Sequence, residues 1–364
     1  MKYILLLITS LIIFSCSTTS EKKEANDQTE EIRKDTAEYK ITPRYITEKV
    51  RFDTDDPAVW INYANPEESL IIGTDKGDDN EPGGLYVFNL RGEIDHQKSI
   101  KDLARPNNVD IAYGFIHGED TIDIAVCTER YTNSIRVFKL PELEPIDGDG
   151  IPVFKDDSLR SPMGIALYKR KEDNQIFAIV SRKEGDTAQY LEQHALFSEG
   201  GTAKATLSRK FGKWSGEKEI EAIAVDDELG YIYYSDERNA VRKYHADPRK
   251  GDEETHHFAT QNFLEDREGI SIYSTTDSSG YILVSDQADN TFHVFEREGS
   301  NKFLAELPFS TLESDGSESI NFNFNEDFPE GIFVAMSDDA TFHIYDWRDI
   351  KSALKDSLKS EEEK

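Results

Sequence analysis

The sequence predicts an all-β protein with the fold of a six-bladed β-propeller. Three observations carry this prediction: a repeat of about fifty residues, three or four short β-rich segments in each copy, and no long segment with convincing helical periodicity. The clearest copies are residues 221–244 and 268–295, in which turns separate three segments rich in apolar, β-branched and aromatic residues.

Weaker copies complete a predicted ring of six blades. The equivalent first strands start near Ala58, Asp110, Gly164, Ala222, Gly269 and Ile320. Successive starts are 47 to 58 residues apart, which suits one propeller blade per copy. A sandwich or several small β domains would also fit short strands, but would not account for the regular spacing. Residues 46–52 are a spare β segment, which we expect to join the last blade and close the ring.

The first sixteen residues predict export. The apolar segment from Ile4 to Phe14 is too short to span a bilayer and is typical of a signal peptide. It ends in Ile13-Phe14-Ser15-Cys16, which resembles a bacterial lipoprotein box, where the chain is cut before a cysteine that then carries lipid. We therefore expect a signal peptide over 1–15, lipidation at Cys16, and a place in the cell envelope, at the outer membrane or cell surface. An ordinary secretory signal with an incidental cysteine is the alternative.

The remaining boundaries follow from composition. Residues 16–43 are rich in Ser, Thr, Glu and Lys and predict a flexible linker. The folded domain is predicted over 44–350, and residues 351–364 are predicted to be a charged, frayed tail. Two cysteines cannot form a disulfide scaffold, and Cys127 lies in an apolar segment, so we expect it to be a buried strand residue without chemistry.

The charge balance limits the partners. Lys and Arg total 42 against 72 Asp and Glu, so the net charge is −30. General nucleic-acid binding is therefore not expected, because phosphate backbones require a basic surface. An anionic small molecule would need local cations or bound metal ions.

Propeller geometry predicts that many acidic side chains lie at one opening of the ring, which we call the mouth. Antiparallel pairing puts the start of each first strand and the end of each second strand at the same face. Before the first strands lie Asp55, Asp56, Asn107, Asn108, Met163, Glu219, Glu221, Asp266, Glu268, Asp315 and Glu318. After the second strands lie Lys76, Glu129, Arg130, Lys183, Glu184, Asp236, Glu237, Asp286, Asp289, Asp338 and Asp339.

Such a mouth predicts a site for divalent cations and phosphate. Clustered carboxylates repel one another unless they are protonated or bridged by cations, and Ca²⁺ is the hard ion that best accepts oxygen ligands in variable number. No Cys/His spacing of the zinc type is present. Several Ca²⁺ ions together with Lys76, Arg130 and Lys183 would bind a highly charged phosphate compound. For any single acid, a solvated turn position is the alternative.

Six segments resemble the β-propeller phytase family in order and spacing. They are Asp53-Thr-Asp-Asp-Pro-Ala-Val-Trp60, Gly73-Thr-Asp-Lys76, Asn107-Asn-Val-Asp110, Arg182-Lys-Glu-Gly185, residues 221–230 and Asp266-Arg-Glu-Gly269. The match extends from about Asp53 to Glu298 and more weakly to Trp347. The resemblance implies a calcium-dependent 3-phytase, which removes phosphates from inositol hexakisphosphate (phytate), usually bound as its calcium complex. We also expect a monomer.

The resemblance also implies residue roles. Calcium would be held by Asp55, Glu221, Glu237, Asp266 and Glu268, and with a weaker match by Asp315. Substrate phosphates would be held by Lys76, Arg130 and Lys183. A calcium-activated water would attack phosphorus in line while these cations and Glu237 serve catalysis. Asp56, Asn108 and Asp110 also fit structural roles in turns and strand caps.

Three departures from the family pattern keep alternatives open. Met163 stands where the family usually has a tyrosine, the acidic insertion Gly77–Pro82 follows Lys76 where a second lysine is common, and Glu318-Ser-Ile-Asn321 replaces a richer carboxylate pattern. A propeller that binds calcium and phosphorylated ligands without turnover is therefore one alternative. A calcium-dependent lactonase or esterase of another six-bladed family is a second, but it leaves the three cations unexplained.

Overall fold

A computed structural model describes residues 40–362, and this part of the chain forms six antiparallel sheets. The predicted signal peptide, Cys16 and most of the predicted linker lie outside the described residues. The amide of Ile41 donates to the carbonyl of Pro308 at 2.9 Å. The chain thus joins the propeller three residues before the predicted boundary at 44.

Each sheet is one blade, and in blades 1 to 5 the strands follow one another along the chain. Blade 1 contains β2 (Thr54–Trp60), β3 (Leu70–Asp75), β4 (Gly83–Asn89) and β5 (Ile100–Leu103). Blade 2 contains β6 (Pro106–His117), β7 (Asp120–Glu129), β8 (Ser134–Lys139), β9 (Glu144–Pro145) and β10 (Ile151–Pro152). Blade 3 contains β11 (Pro162–Lys169), β12 (Ile176–Arg182), β13 (Ala188–Glu199) and β14 (Thr202–Lys213).

Blades 4 to 6 repeat this pattern. Blade 4 contains β15 (Ile223–Asp226), β16 (Tyr231–Asp236), β17 (Ala240–His245) and β18 (Glu254–Phe258). Blade 5 contains β19 (Arg267–Ser274), β20 (Gly280–Asp286), β21 (Thr291–Glu296) and β22 (Phe303–Pro308). Blade 6 contains β23 (Ser317–Ile320), β24 (Ile332–Ser337), β25 (Thr341–Asp346) and β1 (Tyr45–Ile46). Short 3₁₀ helices cover Pro66–Glu68, Arg130–Thr132, Pro248–Lys250 and Gln287–Asp289. The six-bladed all-β prediction is confirmed.

The ring closes through the N-terminal strand. Strand β1 pairs antiparallel with β25, with Tyr45 opposite Ile344 and Ile46 opposite His343. Beyond the strand, the amide of Val50 donates to the carbonyl of Ala340 at 3.0 Å. The outer strand of blade 6 therefore comes from the start of the domain, as predicted, although it begins and ends earlier than 46–52.

The core lies between neighbouring blades. Because each sheet packs on both faces, its middle strands are apolar at consecutive positions, as in Tyr231-Ile-Tyr-Tyr234. The described residues form six buried apolar clusters; the one joining blades 1 and 2 includes Ile72, Val87 and Cys127. Cys127 is fully buried in β7, and this burial raises the pKa of its thiol far above the usual value. The expectation of a structural cysteine agrees with that environment.

The prediction of a charged, frayed tail over 351–364 needs a correction, because helix α1 (Trp347–Glu362) includes residues 351–362, the part of that tail which the structure describes. Trp347, Ile350 and Leu354 follow helical spacing and are buried against blades 5 and 6. Trp347 stacks on Tyr273 with ring centroids 3.5 Å apart. Few apolar residues lie among many charged ones here, so the periodicity was weak in the sequence. None of the helices described is long and apolar enough to cross a membrane.

Helix α1 offers a test of this packing. We expect Leu354→Ala to lower the free energy of unfolding by about 2–5 kcal/mol, because Leu354 is 3% exposed and the change leaves a cavity. The matched control is Leu358→Ala in the same helix, where the side chain is 36% exposed. Urea denaturation measures both. Equal, small effects would show that the helix does not pack on the propeller.

Candidate active site

A repeated β-bulge directs acids into the mouth. In β2, β6, β11 and β19 the pairing register shifts so that two consecutive residues lie between paired positions. The first residue of each pair, with its equivalents in blades 4 and 6, forms an inner ring of Asp55, Asn107, Met163, Glu221, Glu268 and Asp315. In β2 and β6 the bulge places the first side chain of the pair at the mouth and the second, Asp56 or Asn108, in the central channel. In β11 and β19 the second residue is a glycine.

A second, outer ring consists of the residue that directly follows the second strand of each blade. These residues are Lys76, Arg130, Lys183, Glu237, Gln287 and Asp338. Blades 1 to 3 therefore contribute cations at one structural position, and blade 4 contributes a carboxylate there. The sequence-based expectation of three cations beside many acids agrees with this arrangement.

Hydrogen bonds and ion pairs join the two rings. The Asn107 side-chain amide donates to Asp55 at 2.8 Å and to Glu221 at 2.6 Å, so acids of blades 1 and 4 meet across blade 2. Lys76 Nζ lies 3.0 Å from Asp55 Oδ1 and 3.3 Å from Asp315 Oδ2. The predicted convergence of acids from different blades is present.

Glu237 belongs to two clusters of carboxylate side chains. Among the described residues, Glu219, Glu221 and Glu237 form one group and Glu237, Asp266 and Glu268 form another, with candidate ligand oxygens within 4.8 Å of one another. Glu237 is 1% exposed, and its Oε1 atom has no hydrogen-bond partner among the residues described. An all-oxygen donor set with an unpartnered buried carboxylate oxygen fits a hard divalent cation.

Basic side chains neutralise several of these acids. Lys183 Nζ lies 2.9 Å from Glu219 Oε2. Lys218 Nζ lies 3.1 Å from Asp266 Oδ2, and Arg238 Nε contacts the other oxygen of Asp266.

Arg130 is oriented by a neighbour in the inner ring. Its Nη2 atom contacts the sulfur of Met163 at 2.6 Å. The Arg130 Nε atom is buried and has no hydrogen-bond partner within residues 40–362. The guanidinium therefore retains one unsatisfied N–H donor.

Burial keeps protons on the carboxylates around Glu237. Burial, followed by the charges of Glu219 and Asp266, raises the pKa of Glu237 to about 8. Burial and the charge of Glu237 raise the pKa of Glu268 well above its usual value. Each of these carboxyls favours its neutral form until a cation offsets the charge.

The carboxyls near Lys76 divide into two kinds. Burial opposes ionisation of Asp55, but the adjacent Lys76 ammonium outweighs it and lowers the pKa of Asp55. Burial and the charge of Asp55 raise the pKa of Glu221 well above its usual value. For Asp315, burial and Asp55 outweigh Lys76 and raise the pKa to about 7. Lys76 thus keeps Asp55 charged, and the charge of Asp55 together with burial favours the neutral form of its two neighbours.

Some acids predicted at the mouth have structural roles instead. Glu129 accepts from the amide of Ala104 at 2.8 Å, and Asp236 accepts from Ser215 and Arg242. Asp286 accepts from the amide of Leu264 at 2.7 Å. These carboxylates hold loops in place at the ends of second strands.

Other acids line the central channel, a cavity of about 210 Å³. Asp56, Asp110, Asp227 and Glu318 face it, and Asp56 and Asp110 also accept backbone amides of Val109 and Leu167. Burial raises the pKa of Asp110 to about 6, of Asp227 to about 7 and of Glu318 to about 8. The structural alternative for Asp56 and Asp110 agrees with these bonds.

Sequence reasoning left out several residues of the mouth. Glu219 was noted in the ring but not assigned a role, and Gln287, Lys218 and Arg238 were not assigned at all. Gln287 donates to Asp315 at 2.6 Å. Its position directly after a second strand, equivalent to that of Lys76, was the signal that could have identified it.

Fold and site together define a β-propeller with a candidate all-oxygen metal site surrounded by basic side chains. A sequence model of the family described as Phytase matches residues 3–363, and the chain belongs to this phytase family. A curated relative, the 3-phytase of Bacillus subtilis (strain 168), is 28% identical over an alignment of 343 residues that covers 87% of this chain and 86% of that protein.

A solved structure described as "Structure of Dos1 propeller" has a TM-score of 0.45 and 11% identity, and covers 80% of this chain and 67% of that one. The blade-by-blade strand pairing establishes the fold without it. Family membership confirms the resemblance predicted from the sequence and the class of enzyme, a hydrolase of the phytase type.

The raised carboxyl pKa values give a pH prediction. The folded, metal-free chain holds protons on Glu237 and Asp315 that the unfolded chain releases near its usual pKa of 4 to 4.5. Stability from this source is present below about pH 4 and is lost as pH rises through 7 and 8. We expect the melting temperature in chelator to fall by about 5 °C or more between pH 5 and pH 8.

The control is Glu237→Gln, which removes one of the two titrating carboxyls. In this variant the melting temperature in chelator should fall less between pH 5 and pH 8. Differential scanning calorimetry at matched ionic strength measures both proteins. A melting temperature in chelator that rises between pH 5 and pH 8 would contradict the assignment of protonated carboxyls to the mouth.

Proposed function

We propose that the chain is a calcium-dependent phytase, a 3-phytase that hydrolyses phytate to lower inositol phosphates and phosphate. The observation that carries the proposal is the position of Glu237. This residue is buried, belongs to both clusters of carboxylate side chains, and lies beside a ring of basic side chains. The family and the Bacillus subtilis relative support the reaction. Calcium is proposed from the chemistry of the donors.

The residues present fit calcium better than a softer ion. Asp55, Glu221, Glu237, Asp266 and Glu268 offer carboxylate oxygens alone, and Asp315 adds one more at the edge. Ca²⁺ accepts six to eight such oxygens at flexible angles, whereas Zn²⁺ favours nitrogen and sulfur. When bound, calcium supplies a Lewis acid that holds phosphate oxygens and lowers the pKa of a nearby water.

The chain's own residues hold and orient the phosphate. Lys76 reaches the centre of the mouth and is held there by Asp55 and Asp315. Arg130 and Lys183 lie on the next two blades, and the Lys183 side chain is 43% exposed, which leaves it accessible to a ligand. These three cations would offset the charge that spreads over the equatorial oxygens in the transition state. Asn107 keeps Asp55 and Glu221 together by donating to both.

Chelation and one substitution test this proposal. We expect excess chelator to abolish phosphate release from calcium phytate. Glu237→Gln should reduce turnover about 100-fold or more, because Glu237 is a member of both carboxylate clusters. Glu253→Gln, at an exposed position on the same blade, is the control and should retain activity. Full activity of the chelated wild-type protein would reject the metal-dependent reaction.

A binding propeller without turnover is the second candidate, favoured by one observation. Met163 occupies an inner-ring position and contacts Arg130 through sulfur, where the family pattern implies a hydroxyl that can donate to phosphate. Such a protein would bind calcium and an inositol polyphosphate but release no phosphate. The same phosphate-release assay, with calorimetric ligand binding beside it, separates the two candidates.

We also propose that the protein is an exported, monomeric lipoprotein, attached to the cell envelope only through Cys16. The support is the apolar segment followed by Ser15-Cys16 in the sequence. Cells fed an alkyne fatty acid should label the wild-type protein, and Cys16→Ser should abolish the label while export continues. Label on the variant would reject lipidation at Cys16. Light scattering of the domain from residue 40 onward tests the monomer.

A further inference from the structure

Two basic side chains at the mouth have no assigned role in the proposed reaction. Lys218 precedes blade 4, and Arg238 follows Glu237 between β16 and β17. Lys218 Nζ lies 3.1 Å from Asp266 Oδ2, while Arg238 Nε contacts Asp266 Oδ1. Arg238 Nη2 also lies 3.4 Å from Glu265 Oε2. Each oxygen of the buried Asp266 carboxylate therefore has its own cation.

The loop that carries Lys218 is fixed in place. Ser215 donates through its amide and its hydroxyl to Asp236, at 2.9 and 2.7 Å. Lys218 itself has φ 56°, a left-handed conformation that is uncommon for a residue with a Cβ atom. Such conformations cost free energy and persist where the surrounding structure imposes them. The fixed loop therefore holds the Lys218 side chain over Asp266.

Arg238 is placed by the same part of the ring. The amide of Arg267 donates to the carbonyl of Glu237 at 3.1 Å, and the Arg267 guanidinium donates to the same carbonyl at 3.0 Å. These bonds fix the backbone directly before Arg238. The side chains of Lys218 and Arg238 are 47% and 35% exposed, whereas that of Asp266 is 3% exposed. The cations thus lie between the buried carboxylate and solvent.

A divalent cation competes with these two side chains for Asp266. The group of Glu237, Asp266 and Glu268 needs an oxygen of Asp266 as a ligand, and both oxygens are already paired. The charge of a bound divalent cation would repel both basic side chains and drive at least one of them away from Asp266. That side chain, already at the solvent edge, would then lack a counter-ion at the mouth, where an anionic group of the substrate can supply one.

We propose that Lys218 and Arg238 form a further phosphate-binding subsite, which becomes available when a divalent cation binds Glu237, Asp266 and Glu268. The ligand is a phosphomonoester group of a multiply phosphorylated small molecule. This inference rests on the proposed function, and it extends the basic side chains of the mouth from blades 1 to 3 onto blade 4. It couples metal binding and substrate binding through one carboxylate.

Removing either cation has two effects of opposite sign. Arg238→Gln and Lys218→Gln each remove a competitor for Asp266, so calcium should bind about two- to fivefold more tightly, as expected for a partly exposed ion pair. Each change also removes a charged donor to the anion. In saturating calcium, myo-inositol hexasulfate, which has no phosphate ester to hydrolyse, should bind about tenfold more weakly to each variant. A residue that only supports the fold would weaken both.

The controls are Lys204→Gln and Arg44→Gln, exposed basic residues paired with Glu199 and Asp327 away from the mouth. Both should leave calcium and hexasulfate binding unchanged. Isothermal titration calorimetry measures calcium alone, then hexasulfate in calcium, for each protein and for the double variant. Tighter calcium with unchanged hexasulfate would show that the cations only neutralise Asp266 and would overturn the proposal. Weaker binding of both ligands would overturn it as well.

Phosphate release from phytate by the wild-type protein is measured in parallel. Its absence would reject the proposed function, while the two binding measurements still decide whether the subsite exists. With release present, Lys218→Gln and Arg238→Gln should raise the KM for phytate about tenfold with little change in kcat, because the subsite binds ground and transition states alike. A loss confined to kcat would contradict a binding role.

Discussion

Repulsion between carboxylates is the constraint on which the mouth of the ring depends. Oxygens of Glu237, Asp266 and Glu268 lie within 4.8 Å of one another, and none of the three residues is more than 6% exposed. Two unit charges at that separation repel by about 3.5 kcal/mol at an effective dielectric constant of 20. Protonation, ion pairs and bound cations are the means of relief. Protonation relieves the repulsion at Glu237, and ion pairs relieve it at Asp266.

The fold imposes this proximity through strand pairing. Each bulge shifts the register by one residue, so that the first residue of the pair lies at the mouth and the second beside the channel, as Asp55 and Asp56 do in β2. Ring closure adds a contact across the seam, because Lys76 of blade 1 pairs with Asp315 at the start of blade 6. The pairing of β1 with β25 completes blade 6, the last blade of the ring. A strand far from the acids thus helps to set their spacing.

The sequence was sufficient to predict the six blades and the strand ends at which the mouth residues lie. The repeats show the blades and the strand ends, and Asp55, Glu221 and Glu268 follow from their predicted positions next to the first strands, although Asp55 and Glu268 lie inside β2 and β19. Helix α1 was missed because Trp347, Ile350 and Leu354 are too few for a clear period. Lys218 was missed for another reason. Its position depends on a left-handed backbone angle in an irregular loop, and no repeat specifies that angle.

The pairing of acids with bases predicts that anion binding and cation binding are linked at this mouth. Lys76, Lys183 and Arg238 each have a carboxylate counter-ion, so a phosphate that approaches the metal-free mouth must compete with acids of the chain itself. The net charge of −30 adds long-range repulsion. A bound divalent cation would offer two charges to several oxygens at once and would free the bases that those oxygens held. Because coupling free energy is reciprocal, a phosphate that engages the freed bases must in turn tighten binding of the cation.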